Sequence, residues 1–376
     1  MIAEKFEFRV SYRKLLIGML LTLVPVSIAG FYSLSHSEHA LERMVGGHFQ
    51  AIAESTATEV SQYIHDRVLD VGVMAIDPAV LDTVQAANRA YQGLDNQAAS
   101  TRIEKFEKIW NTPAAGPMVQ QILASPASRS LRRHRDLDRR FLRITVTDEK
   151  GAVVAATHKT LDYFQADEEF WQAIYAQGRG AINLTDILYD EVTKSNYIGV
   201  GVPVLEEGTN RFLGALDALI DVSTLFPLMN RAPTGGTARV LLVKDDGTVI
   251  GGPQISLAMN YKSAEYAALR DSLQTLGGRQ TGYLATDVPG GGRRLIGFAD
   301  TGLKQDYRNL SWVVLVSQDD RDALAPVNVV GRLLAALSLL ALATVTVSGV
   351  YFSLHRRVPF AVIDELHRQP PKVSQT

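Results

Sequence analysis

Two uncharged apolar runs, one near each end, constrain this chain more than any other feature. Residues 15–34 read LLIGMLLTLVPVSIAGFYSL and residues 333–354 read LLAALSLLALATVTVSGVYFSL. Each reaches the ~20 residues that a helix needs to cross a ~30 Å hydrocarbon layer. Pro25 falls inside the first run; it would break a soluble helix but is accommodated in a membrane helix as a kink. The apolar core of that run exceeds the ~7–15 residues of a secretory signal, so it is expected to stay as an anchor. Lys5, Arg9, Arg13 and Lys14 precede the first run, and Arg356 and Arg357 follow the second. Positive charge close to the membrane marks the cytoplasmic side. The expected topology is therefore residues 1–14 inside, a first span at 15–34, residues 35–326 outside, a second span at 333–354 and residues 355–376 inside.

The long outer segment has a globular balance, since the chain is 46% apolar and 21% charged. A net charge of −2 leaves no cationic excess to neutralise phosphates, so nucleic acid is not an expected partner. With no cysteine, disulfides, thiolate metal sites and cysteine nucleophiles are excluded. Apolar residues recur in steps of mostly three and four at Leu41, Met44, Val45, Phe49, Ile52, Val60, Ile64, Val68, Val71 and Ala75. That period predicts one long helix from about Ser37 to Ile76, ended by Asp77-Pro78, because the residue before proline is pushed out of helical geometry. A more polar helical stretch follows through Ile122 and Leu123 and completes a stalk and helical segment over 35–136.

Beyond it the period changes to two. Leu142, Ile144 and Val146 alternate with Arg143, Thr145 and Thr147, the turn Asp148-Glu-Lys-Gly151 follows, and Val153-Val154 starts a returning strand. About a hundred residues on, the same grammar recurs as Arg239-Val-Leu-Leu-Val243, Lys244-Asp-Asp-Gly247 and Thr248-Val-Ile250, which marks an internal repeat. The first copy continues with a helix over Glu168–Gln177 and strands over Tyr197–Val204 and Phe212–Ile220. In the second copy a helix over Ala264–Leu276 precedes strands near Thr281–Thr286, Arg293–Ala299 and Ser311–Ser317. The predicted fold is α+β: a long N-terminal helix with two stacked antiparallel-sheet modules, at 137–230 and 235–320, flanked by two transmembrane helices.

This order of elements resembles the double Cache family of extracytoplasmic sensing domains found in bacterial chemoreceptors and histidine kinases. The likeness rests on Thr147-Asp-Glu-Lys-Gly-Ala-Val-Val-Ala-Ala-Thr157, on Asp162-Tyr-Phe-Gln-Ala-Asp-Glu168 with Trp171, and on Gly201-Val-Pro-Val204. Gly214-Ala-Leu-Asp217, Ile220-Asp-Val222 and Trp312-Val-Val-Leu-Val-Ser317 extend it. The resemblance implies PAS-like modules, ligand binding in the membrane-distal one, a bacterial cytoplasmic membrane location and a homodimer. Arg356-Arg357-Val358-Pro359 with Ile363 and Leu366 is similar to the opening of a HAMP linker helix. The roughly twenty residues after Leu354 are too few for a catalytic domain, so output is expected from a separate cytoplasmic signalling partner, the alternative being a receptor truncated before its output domain.

A small-ligand pocket combines apolar walls with a few polar groups that fix orientation. Tyr163, Trp171, Tyr175, Asp186, Tyr189, Asp190, Tyr197 and Asp217 are the candidates on or beside the first sheet. In amino-acid binders of the family an arginine stands two positions before the helix tryptophan. Here that position is Glu169, which speaks against an amino-acid carboxylate and for a cationic or amine ligand held by carboxylates and aromatic faces; the expected ligand is a small organic molecule, an amine or zwitterion. Each candidate also has a plain structural role available: Trp171 and Tyr175 are spaced to pack on the sheet, Asp167 can cap a helix, and Asp190 suits a turn. The arginines from Arg129 to Arg140 are diluted by Asp136 and Asp138 and read as a solvated face. His36 and His39 lack metal-site spacing and read as exposed stalk. No dinucleotide loop, P-loop or GxSxG is present, so neither an enzyme nor a cofactor is expected, and a membrane-anchored extracytoplasmic enzyme stands as the alternative reading.

Overall fold

A computed structural model describes residues 12–190, 194–231, 236–253, 255–276 and 280–355. The basic residues Lys5, Arg9, Arg356 and Arg357, the segment 358–366 and residues 191–193 of the turn after Asp190 lie outside the described residues. The chain divides into two units: Val45–Asp322, and the end segments up to Met44 and from Ala323. In the end segments, Val329–Tyr351 is long and apolar enough to cross a membrane, while the apolar stretch Ile17–Ser33 is shorter. Only that one candidate span occurs among the described residues. His36 and His39 are exposed, and no cluster of three metal-ligating side chains occurs among the described residues.

Helix α1 (Tyr12–Ala75) passes through Pro25 without a break. In the outer unit it buries Phe49, Ala53, Ala57, Val60, Ile64, Val68, Val71 and Ala75, steps of three and four that keep one stripe turned inward. Asp77 ends it as expected and caps α2 (Pro78–Arg89), accepting from the Ala79 N–H. The polar helical stretch resolves into α3 (Asn96–Trp110), α4 (Gly116–Leu123) and α5 (Pro126–Leu137). Asp95 and Ser125 cap α3 and α5, two starts legible only as cap chemistry.

The first module holds β1 (Phe141–Thr147), β2 (Val153–Ala156), α6 (Glu169–Tyr175), β3 (Asn183–Leu184), β4 (Leu188–Asp190), β5 (Ser195–Leu205) and β6 (Phe212–Asp221), in sheet order β2-β1-β6-β5-β3 with β4 also on β5. A short α7 (Phe226–Met229) leads on. The second module holds β7 (Arg239–Lys244), β8 (Val249–Gly252), β9 (Ile255–Ser256), α8 (Ala264–Leu276), β10 (Thr281–Val288), β11 (Gly292–Asp300), α9 (Leu303–Asp306) and β12 (Trp312–Asp319), in order β10-β11-β12-β7-β8-β9. Then α10 (Asp320–Ala323) and α11 (Ala325–His355) follow. All pairings are antiparallel, and β2-β1-β6-β5 corresponds to β8-β7-β12-β11. The repeat extends to backbone detail. Gly151 (φ 88°) and Gly247 (φ 84°) take the same left-handed turn, and each carbonyl accepts one later N–H, from Gln165 and Ser263.

The modules meet through side chains. Asp186, between β3 and β4, pairs with Lys244 at 2.7 Å and accepts from the Trp312 indole N–H at 2.9 Å. Asn309 donates to the Leu184 carbonyl. On the second sheet, Gly297 lets the α1 backbone close in, since a Cβ there would lie 2.4 Å from the Phe49 carbonyl carbon and 2.6 Å from the Gln50 nitrogen. Backbone cannot step aside as a side-chain tip can. Gly297→Ala is thus expected to cost about 1–3 kcal/mol of stability, read as a lower thermal midpoint of the full chain in detergent; an unchanged midpoint would refute this close approach.

Candidate functional site

Helix α6 covers one face of the first sheet, and the strand registers say which residues share it. A Cβ on Gly201 would strike Ile174 of α6, and Gly201 pairs directly with Asp217, which in turn pairs with Thr145. Directly paired residues stand on the same face of an antiparallel sheet. Trp171 and Phe212 pack with Ala215, two residues before Asp217. Alternation along β1 adds Arg143, and along β5 adds Gly199 and Tyr197. Asp190 joins them through its pairing with Ser195.

Of the residues expected at a pocket, Trp171, Tyr175, Asp190, Tyr197 and Asp217 come together on this face. Trp171 is 3% exposed, donates its indole N–H to Thr147 Oγ1 at 2.8 Å and stacks on Tyr175 at 5.0 Å between centroids. Phe212 packs edge-on against both rings. The tryptophan's single donor and one ring face are thereby taken, and the pair forms an apolar wall. Three expected residues lie elsewhere. Tyr163 is buried against Phe106 and Trp110, and burial, with Asp148 beside it, pushes its phenol up to about 12. Tyr189 pairs with Asn196, on the opposite face from Tyr197. Asp186 serves the junction with Lys244 and Trp312. Asp167 does not cap α6 either: Glu168 holds that position without a side-chain bond.

What distinguishes the face is unmet polar demand. Thr145 is 6% exposed, and its Oγ1 has no hydrogen-bond partner; Arg143 Nε is buried and equally unpartnered. Neither was among the residues expected at the site, although their alternation with Leu142, Ile144 and Val146 was the signal that placed them on one face. Asp217 stays partly accessible, and burial pushes its carboxyl up to about 6 against the opposing pull of Arg143. Leaving a buried polar group unsatisfied costs about 1–3 kcal/mol, and two such groups, with the partly accessible Asp217 beside them, lie on this face. Two grooves elsewhere lack this demand. One of about 420 Å³ runs beside Glu107, whose carboxylate already accepts from the Tyr163 and Phe164 N–H groups. The other, about 930 Å³, lies between the modules beside the paired Asp186.

The second module supplies an internal comparison. Counting back from the shared turn glycines, Thr145 corresponds to Leu241 and Arg143 to Arg239. The register then matches Asp217 with Leu315 and Gly201 with Phe298. Leu241, Leu315 and Phe298 pack with Leu269 of α8 into a closed apolar core. Where the second module fills this face with hydrocarbon, the first carries a hydroxyl, a carboxylate and a glycine.

The Cache domain family profile matches residues 37–327. Solved structures with a similar fold include the Pseudomonas aeruginosa PAO1 chemoreceptor PctC ligand-binding domain in complex with GABA, at 15% identity over 73% of this chain and 100% of that one, TM-score 0.47. The ligand-binding domain of Pseudomonas fluorescens chemoreceptor CtaA with L-leucine aligns at 16% identity over 76% and 99%, TM-score 0.45. That of Campylobacter jejuni Tlp3 with 4-methylisoleucine aligns at 10% over 75% and 93%, TM-score 0.47. No curated protein matches the chain.

The Asp217 carboxyl titrates in a usable window. Between 3.8 and about 6 the folded state keeps a proton that the unfolded state has released, so this group stabilises the fold at low pH and the effect is lost as pH rises through about 6. Asp217→Asn mimics the protonated form. It is expected to raise the thermal midpoint at about pH 7.5 and to leave it unchanged at about pH 4; a lower midpoint at the higher pH would mean that Asp217 has a structural partner.

Proposed function

Because the chain belongs to the Cache domain family, we propose that it is a membrane-anchored extracytoplasmic sensor that takes a small amine-bearing organic molecule in its first, membrane-distal module. The observation that carries this reading is the exchange of Leu241, Leu315 and Phe298 in the second module for Thr145, Asp217 and Gly201 in the first. Asp217 is the anchor for the ligand's ammonium, and Trp171, Tyr175 and Phe212 form the wall beside it. Asp190 and Tyr197 border the same face. Asp186, outside this face, ties the first module to Lys244 and Trp312 of the second and gives a change at the pocket a path into the second module.

Both apolar segments cross the membrane in this reading, with residues 35–326 outside and the ligand signal read by a cytoplasmic partner. Leu69 and Val73 on α1, with Ile76 just past it, leave an apolar stripe exposed at helical spacing, which supports assembly as a homodimer. The reading is one of binding without turnover.

Two measurements test it. A charge-assisted contact to a buried carboxylate is worth about 1.5–3 kcal/mol, so Asp217→Ala is expected to weaken binding of a ligand found by thermal-shift screening roughly ten- to hundred-fold; equal affinity would remove Asp217 from the site. Because the chain has no cysteine, a single cysteine at Gly208 is expected to react with an impermeant thiol reagent in intact cells and one at Ser374 to be shielded. The reverse pattern would overturn the topology.

A further inference from the structure

The groove of about 930 Å³ between the modules holds two arginines that the fold leaves uncommitted. Arg179 follows α6 in the first module, and Arg308 stands on the loop between α9 and β12 in the second. Arg308 makes no hydrogen bond or ion pair among the described residues, and the Arg179 guanidinium reaches only the Ala176 carbonyl, through Nε at 3.3 Å. Exposure does not keep other arginines of this chain from acids: Arg211, Arg231 and Arg293 have side chains more than half exposed and pair with Glu206, Glu59 and Asp320. Two acids of the groove are already engaged, Asp186 by Lys244 and Asp306 by His65, whose Nε2 lies 3.1 Å away. Glu169, exposed on the first turn of α6, is the one carboxylate lining the groove without a partner among the described residues. The backbone that presents Arg179 is strained. Ala176 (φ 46°), Gln177 (φ 59°), Gly178 and Gly180 all take left-handed geometry, which costs energy at the two positions that are not glycine. Backbone strain of this kind concentrates at binding sites. Beside it, Phe170, Ala173 and Ile182 give the groove an apolar wall.

We propose that this groove is a second binding site, for a small organic diacid whose two carboxylates are taken by Arg179 and Arg308. A guanidinium binds a carboxylate through paired N–H donors, and here each module supplies one such fork. The carbon chain between the acids lies on Phe170, Ala173 and Ile182. A monoacid meets one arginine, leaves the other free and is repelled by Glu169; the second contact of a diacid outweighs that repulsion. An inorganic anion gains nothing from the apolar wall. Glu169, Phe170 and Ala173 line the groove, while Trp171 and Ile174 of the same helix pack toward the first sheet. The two sites are therefore separate and share α6 as a common wall. A bound diacid ties the modules together where Asp186 with Lys244 and Asn309 with the Leu184 carbonyl already join them.

The test is calorimetry on the full chain in detergent, with the straight-chain diacids from malonate to pimelate, the monoacid of equal length for each, and inorganic phosphate. At least one diacid is expected to bind roughly ten- to hundred-fold more tightly than its monoacid. Arg179→Gln and Arg308→Gln are each expected to weaken that diacid about tenfold or more without lowering the unliganded thermal midpoint, because neither guanidinium holds another side chain. Glu169→Gln is expected to tighten it by removing the like charge. Equal binding of diacid and monoacid, phosphate binding as tight as the best diacid, an affinity unchanged in both arginine variants, or no binding by any diacid overturns the proposal and leaves the first-module reading in place. So does a diacid whose affinity falls in Asp217→Asn but not in Arg308→Gln, since it then sits on the first-module face.

Discussion

The buried stripe of α1 is the constraint on which the outer unit depends. Eight residues from Phe49 to Ala75 turn one face inward over about seven helical turns, and the helix lies close enough to β11 that only glycine fits at position 297. A two-module chain needs something that both sheets share, because antiparallel sheets of this size each leave one face to be covered. Contacts along α1 reach both modules: Tyr63 donates to the Asp221 carbonyl of the first, and Glu54 accepts from Thr281 of the second. With one face of each sheet committed to helices on that side, the opposite face is left to α6 or α8, and there the two modules diverge.

That divergence is chemical before it is geometric. Strand order, turn glycines and register are held in common, while Leu241, Leu315 and Phe298 give way to Thr145, Asp217 and Gly201. A module optimised only for stability would make the second choice of residues in both places, since apolar burial contributes about 25 cal/mol per Å² and unpaired polar groups subtract. The first module forgoes that stabilisation at the one face α6 covers. The corresponding arginines differ as well: Arg239 pairs with Glu265, while Arg143 makes no hydrogen bond or ion pair among the described residues.

The junction between the modules is built from groups that sequence alone would assign to the pocket. Asp186 is close in sequence to Asp190 and has the chemistry of a ligand contact, yet its carboxylate is held by Lys244 and Trp312. Lys244 stands at the turn position that Asp148 occupies in the first module, where Asp148 accepts from Tyr91 and from the Lys150 and Ala152 N–H groups. The same turn thus closes itself in one copy and reaches across to the neighbouring copy in the other.

The local elements were legible because their signals are local. The three-and-four stripe of α1, the period-two runs of β1 and β6, the turn glycines and the repeat of about a hundred residues all follow from backbone geometry acting over a few residues. The family likeness was legible from short motifs in the same way. The short strands β3 and β4 are not legible because two or three residues carry no period, and residue type alone does not reveal that Tyr163 packs on Phe106 and Trp110 or that Tyr189 lies on the face opposite Tyr197. Which polar residues lack partners could be decided only by the tertiary structure. Arg143 and Arg239 look alike in sequence, each eight residues before a turn glycine. Only packing shows that a buried carboxylate meets one of them while the other makes no hydrogen bond or ion pair among the described residues, since pairing across strands and helices depends on distances that the linear chain does not contain.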